Sequence, residues 1–404
     1  MHRRPNATVI MKGSTKGASG LGCVGFYISG HGFGHASRQI EIINALGPRL
    51  PPGVSIVVRT SAARWLFDRT LRTPVTLAPA VVDTGVVQID SLRLDEGATI
   101  RSARDFYSTF DHRVADEVAF IREHDVRLVI SDAPPLACAA AAVAGVPAIV
   151  VSNFTWDWIY EGYEAFRQEA SGTLQTIRDA YAQAAAGWRL PMHGGFGTFR
   201  AIDDLPFIAR HATHARAEVL RVLAIPSSRP LVLSSFGGYG LEDLDLSTLD
   251  CRDTWTVVVT GPSSPPALPD GVAFVDERRM YESGLRYEDL VGAVDVVATK
   301  PGYGIISECV ANGTGTLYTS RGQFPEYDVM VREMPRLMRC AFIDQASLLA
   351  GRWRSSLDAI LASPAPPERP ATNGASIAAE RIIGIDPVAS GFSRKANAGG
   401  CSSA

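Results

Sequence analysis

Two histidines and a lysine sit in glycine-rich turns that follow apolar runs. Such turns can hold a proton carrier or a cation against a ligand. In GFYISGHGFGHASRQIEIINAL (residues 25–46), His31 and His35 are four residues apart, where a strand-like run gives way to helical spacing. An imidazole titrates near neutrality and suits removal of a proton from a hydroxyl; a positioned base is worth about 10²–10⁴-fold in rate. His35 is the candidate base, with a structural role at the helix entrance as the other reading. VRLVISD (residues 126–132) ends in Asp132, a carboxylate able to fix the imidazole tautomer and stabilise the imidazolium. Both residues follow strand ends, the ligand side of an open parallel sheet. His31 either lines a ligand or is structural. Arg38 either reaches a phosphate or faces water.

Two further turns suit a diphosphate. TKPGYGIISECVANG (residues 299–313) puts Lys300 at a strand-to-helix turn, with Gly302 and Gly304 beside it and Glu308 further along the helix. A cation and free N–H groups match a diphosphate, and the carboxylate matches paired ribose hydroxyls or is a solvated helix residue. SSFGGYG (residues 234–240) follows the apolar run PLVL and lets backbone amides approach an anion. No G-K-[ST] follows, so it is not a P-loop, and SGHGFGHAS lacks the dinucleotide spacing. SNFTWDWIY (residues 152–160) gathers Trp156, Trp158 and Tyr160 as an acceptor platform or as core. Asp157 there is a candidate acceptor contact. Asp243 and Asp245 form a D-x-D read as coincidence, and no residue group has metal-site spacing.

The elements that must position these residues are legible as alternation. Valine- and isoleucine-rich runs at 25–29, 54–60, 126–132 and 147–154 are separated by helical stretches, the pattern of a parallel sheet buried on both faces. A break follows near 203–230, where a helix capped by Thr213 leads into the linker IPSSRP, and alternation restarts at 230–240, 255–261, 272–276, 294–300 and 315–320. The expected layout is a flexible lead-in (1–22), two Rossmann-like α/β domains (23–225 and 226–370), a crossing helix (371–385) and a disordered tail (386–404). The 404 residues carry a net charge of −3, which argues against nucleic acid as the main partner. The cysteines form no C-x-x-C pair, which fits a reducing cytoplasm. LACAAAAVAGVPAIVV (residues 136–151) is broken by Gly145 and Pro147 and reads as buried helix then strand, not a membrane span.

The box K-x-G-Y-G-x-x-x-E resembles the donor-binding box of nucleotide-sugar glycosyltransferases of the GT-B fold. Lys300 falls on the diphosphate-binding histidine of that box, Gly302 on its glycine, Tyr303 on its tryptophan and Glu308 on its ribose-binding glutamate. Gly304 and Ile305 stand where the family has asparagine and serine. FPEYD (residues 324–328) resembles the segment holding the donor sugar, with Glu326 the counterpart. Ser235, Phe236, Gly237 and Gly238 resemble a donor-facing S-F-G-G turn. GHGFGHASR with the later SD and SNFTWDWIY is most similar to the N-terminal glycosyltransferase-like part of L-arabinokinases; the likeness covers about residues 23–385 and not their sugar-kinase half. The resemblance implies two domains facing a cleft, with acceptor on the N-terminal side and a nucleotide sugar, UDP-linked by analogy, on the C-terminal side. It implies inverting transfer without metal or cofactor, His35 as base, Asp132 as its support, and His31, Arg38, Trp156, Asp157 and Trp158 near the acceptor. A nucleotide-sugar hydrolase or epimerase, and a non-catalytic nucleotide-sugar-binding module, are the alternatives.

Overall fold

The computed structural model describes residues 22–90, 92–236, 244–263, 267–385 and 388. The N-terminal half runs β1 (Cys23–Ile28), α1 (Phe33–Leu46), β2 (Ser55–Thr60), α2 (Arg64–Thr70), β3 (Thr76–Pro79), α3 (Glu96–Ser108), α4 (Phe110–Glu123), β4 (Val126–Asp132), α5 (Pro135–Ala144), β5 (Ala148–Phe154), α6 (Trp156–Glu161), α7 (Glu164–Glu169), α8 (Ser171–Tyr181), β6 (Ala186–Gly194) and β7 (Ile202–Asp204). The second half runs α9 (Arg216–Val222), β8 (Leu231–Ser235), β9 (Thr256–Gly261), β10 (Val272–Asp276), α10 (Glu277–Glu282), α11 (Tyr287–Ala293), β11 (Val296–Thr299), α12 (Tyr303–Asn312), β12 (Gly315–Tyr318), α13 (Pro325–Leu337), β13 (Cys340–Phe342), α14 (Gln345–Leu349), α15 (Arg354–Ala362) and α16 (Gly374–Ile383).

Two parallel sheets result, ordered β3-β2-β1-β4-β5-β6-β7 and β10-β9-β8-β11-β12-β13. Each reverses its winding once, between β1 and β4 and between β8 and β11. At such a switch point the loops leave in opposite directions and open a crevice beyond the strand ends. In register, Ile28 pairs with Asp132 and Ser235 with Thr299, so the residues that follow flank the two crevices.

Both faces of each sheet are covered. On the first, β1, β4 and β5 pack Tyr27, Val129 and Val150 against α3–α5 and α8, and Phe26, Ile28 and Ile130 against Ile40 and Ile43 of α1. On the second, Leu231 and Val297 meet Leu290, Ile306 and Met330, while Val232 and Val257 meet Trp353 and Leu357. Residues 136–151 form α5 and β5, and no helix among the described residues is long and apolar enough to cross a membrane.

α16 returns to the first half, placing Ala378, Ala379 and Ile382 in the core beneath α1. The returning segment pairs with the outgoing linker. Phe207 N–H donates to Ala371 O at 3.1 Å and Gly374 N–H to Phe207 O at 2.9 Å, with an antiparallel bridge between Ile208 and Asn373.

One expected cap differs. α9 begins at Arg216 after Ala215, and Thr213 instead donates through its backbone N–H to Asp289 Oδ1 at 2.6 Å. The Asp289 carboxylate thus anchors the linker to α11 in place of a local cap.

Candidate functional site

The β1–α1 turn brings His35 to the first switch point. Gly32, the N-cap of α1, has φ 74 and ψ 173, a backbone state open essentially only to glycine. α1 starts with no side-chain cap and no acidic residue in its first turn, so its N-terminal amides keep their positive field toward the crevice. His35 Nδ1 lies 3.1 Å from Asp132 Oδ2; the two are 7% and 0% exposed. The tautomer with its proton on Nδ1 donates to the carboxylate and leaves Nε2 as the basic nitrogen. Behind the ring, Phe154 stands edge-on at 5.4 Å and Trp156 lies near-parallel at 6.4 Å. Ala133, directly after Asp132, has φ 71, a strained state for a residue with a Cβ, and its carbonyl accepts from Tyr181 Oη at 2.5 Å.

Arg38 takes a place the sequence did not assign it. Instead of reaching outward it is buried, donating Nη2 to Asp132 Oδ1 and Nη1 to Asn153 Oδ1. Asn153 Nδ2 donates in turn to Pro191 O at 2.7 Å. Burial alone would raise the Asp132 carboxyl, but Arg38 and then His35 outweigh it and hold the group below its ordinary value.

His31 is a different histidine chemically. Burial, then the charges of His35, Arg321 and Lys300, push it down to about 3, so it is a neutral imidazole and a weak base. Its Nδ1 accepts from Val86 N–H at 3.4 Å, which leaves Nε2–H as a donor. Beneath it, Asp83 accepts from Ser29 Oγ at 3.1 Å and Trp156 Nε1 at 2.9 Å, and burial raises its carboxyl to about 6.

The aromatic cluster is floor, not platform. Trp156 is 1% exposed, stacked on Tyr160 at 5.5 Å and bonded to Asp83. Trp158 is half-buried against Gly194, and Asp157 is buried and faces Arg178 at 3.6 Å. Residues after a buried strand bury their rings when a helix lies beneath, here α8 supplying Tyr181, whose Oη accepts from Trp156 N–H.

On the opposite side, Lys300 and the start of α12 occupy the second switch point. Gly302 caps α12 without a side-chain bond, and the first turn holds no acid. The first turns of α1 and α12 meet: a Cβ on Gly304 would lie 3.4 Å from Gly34 Cα. Burial and Arg321 push the Lys300 ammonium down to about 8. Tyr303 donates Oη to Met192 O at 2.8 Å across the two halves. Ser235 accepts from Tyr287 Oη at 2.6 Å, while the Phe236 side chain lies in the core beside Trp255 and not in the crevice. Gly237, Gly238 and Asp243 lie outside the described residues. Glu326, in the first turn of α13, is 3.4 Å from Arg321 Nη1, and Arg321 also donates to Pro301 O at 3.0 Å.

Glu308 is buried and ion-paired. Arg210 of the linker donates Nε to Glu308 Oε1 at 2.7 Å and a second bond through Nη2, and its Nη1 lies 3.4 Å from Glu288. Burial raises the Glu308 carboxyl even so. Asn153, Asp83, Arg210 and Arg321 were not singled out from the sequence. Only Asn153 carried a signal, as a polar residue closing the apolar run of β5.

No protein-family profile matches the chain. It is 28% identical over 362 residues to the L-arabinokinase of Arabidopsis thaliana, which covers 88% of this chain but 33% of that protein. The chain thus spans about a third of the length of the curated relative it matches. Among solved structures, the kitacinnamycin glycosyltransferase superposes with a TM-score of 0.58 at 16% identity, over 89% of this chain and 95% of that one. The calicheamicin glycosyltransferase CalG4 gives 0.56 at 15%, over 92% and 99%. UGT2 of Phytolacca americana, solved with UDP-2-fluoro-glucose and pterostilbene, gives 0.56 at 12%, over 92% and 95%. These likenesses establish the two-domain GT-B fold.

Proposed function

We propose that the protein transfers a sugar from a nucleotide sugar, with UDP as the carrier, to an acceptor hydroxyl by one inverting displacement. The observation that carries this reading is the His35–Asp132 pair at one switch point with Lys300 and the uncapped α12 at the other. His35 Nε2 takes the acceptor proton as the acceptor oxygen bonds to the anomeric carbon. The bond from that carbon to the diphosphate breaks, and its electron pair leaves with the phosphate oxygen. Lys300 and the α12 amides meet the charge that develops there, a role that fixed dipoles and cations fill without reorganising. Neutral His31 offers a hydrogen-bond donor to the substrate and not a second base. The presence of a UDP-sugar analogue in the Phytolacca enzyme supports uridine as the base.

A panel of nucleotides and nucleotide sugars in a thermal-shift screen tests the donor. A ligand at a hundredfold excess over its Kd adds about 2.7 kcal/mol to the native state. UDP release with and without acceptors then tests the reaction, and His35→Gln should lose about 10²-fold or more in turnover. Free sugar released promptly without any acceptor makes water the nucleophile and the protein a hydrolase. A flat screen refutes the donor site.

A further inference from the structure

We infer that Arg38 is a positioning residue for the base: held by Asn153, it clamps the Asp132 carboxylate in the orientation that meets His35 Nδ1 and leaves His35 Nε2 free. The inference deepens the function proposed above and rests on His35 acting there.

The geometry leaves Arg38 little other work. Its side chain is 8% exposed, one Nη is on Asp132, the other on Asn153, and its buried Nε has no partner. Asn153 is itself tied to the backbone at Pro191. The guanidinium is therefore clamped from β5 and spans to the end of β4. Each Asp132 oxygen has its own cationic or imidazole partner, Oδ1 on Arg38 and Oδ2 on His35. Arg38 Nη2 also sits 3.3 Å from His35 Nδ1. That approach sets the guanidinium and the imidazole side by side on one carboxylate.

A carboxylate with no exposure is costly unless its charge is met. With Arg38 in place it is met before His35 takes a proton. Without Arg38 the remaining partner is His35, and the pair answers burial by binding a proton, on the carboxyl or as an imidazolium. Either form loses the free base. The other titratable groups facing the pair are His31 from the β1–α1 turn and Asp83 after β3, while Lys300 and Arg321 of the second half act on His31. Of these, only Asp83 is acidic, and it is bonded to Ser29 and Trp156.

The test uses the full-length protein labelled with ¹⁵N-histidine. The side-chain resonance missing in His35→Gln identifies His35. In Arg38→Met its titration midpoint should rise by about 1–3 pH units, the size expected for losing a neighbouring charge. On the nucleotide sugar found in the screen, kcat should fall about 10²-fold near neutrality with KM nearly unchanged, and recover as pH rises. Arg38→Lys should keep the midpoint but lose about tenfold in kcat, because a point charge cannot span Asp132 and Asn153. If Arg38→Met does not fold, Asn153→Ala releases the same clamp and should lower kcat with KM unchanged. An unmoved midpoint in Arg38→Met, or a change confined to KM, overturns the inference. Full activity in His35→Gln overturns the function itself, and an inactive His35→Gln beside a normal Arg38→Met overturns only the role of Arg38.

Discussion

Replacing Lys300 with methionine should stabilise the protein and cripple its grip on a nucleotide. Lys300 is partly buried, and burial together with Arg321 lowers its ammonium from 10.5 to about 8. At 1.36 kcal/mol per pH unit, that gap is a cost to folding of about 3 kcal/mol, and about 2 after allowing for its remaining contact with water. The native group has the lower pKa, so the cost is complete below about pH 8 and fades as pH rises toward 10.5. At neutral pH, Lys300→Met removes it, and a gain of about 2 kcal/mol raises Tm by about 4–8 °C for halves of this size. The gain should shrink steadily in alkaline buffer. Ligand binding should move the other way, since a hydrogen bond to a charged group is worth about 1.5–3 kcal/mol, or about 10–100-fold in UDP affinity. Differential scanning fluorimetry across pH, with and without UDP, reads both effects. A variant that melts below the parent at neutral pH, or that UDP stabilises as much as the parent, refutes the reasoning.

Arg210→Met leaves Glu308 and Glu288 buried without their shared cation, and should cost about 3–5 kcal/mol by thermal melt, with Glu308→Gln in the same chain restoring part of it. Gly85→Ala places a Cβ 2.7 Å from the His31 ring at φ +63, and should lower the urea midpoint by the equivalent of about 1–3 kcal/mol.

Continuous apolar runs were legible because a strand buried on both faces needs them. β4 and β5 lie where Val126–Asp132 and Ala148–Phe154 repeat valine and isoleucine, and the strand ends then carried Asp132 toward His35. β3, β6, β7 and β13 escaped notice: β3, β7 and β13 are short edge strands, Thr76–Pro79, Ile202–Asp204 and Cys340–Phe342, without a two-sided apolar pattern, and in β6, Ala186–Gly194, Arg189 and His193 interrupt the apolar run. The K-x-G-Y-G-x-x-x-E spacing was visible as a local motif, but the fate of Glu308 was not, since Arg210 lies 98 residues away and only the folded linker brings it in. The choice between platform and core for Trp156 was open for a similar reason. Its exposure is set by Asp83 and Tyr181, which arrive from distant segments.

The two chain crossings between the halves run side by side and are bonded to each other, through Phe207 with Ala371 and Gly374, and through His211 with Thr372 at 2.9 Å. A joint made of one strand of chain can swivel as well as bend. A paired ribbon bends readily across its face but resists twist, which would shear its hydrogen bonds. Any relative movement of the two halves should therefore follow the bend of the ribbon more than its twist. Proteolytic nicking of either crossing should broaden the interdomain distance distribution measured by paired spin labels, and an unchanged distribution would show that the ribbon imposes no such restraint.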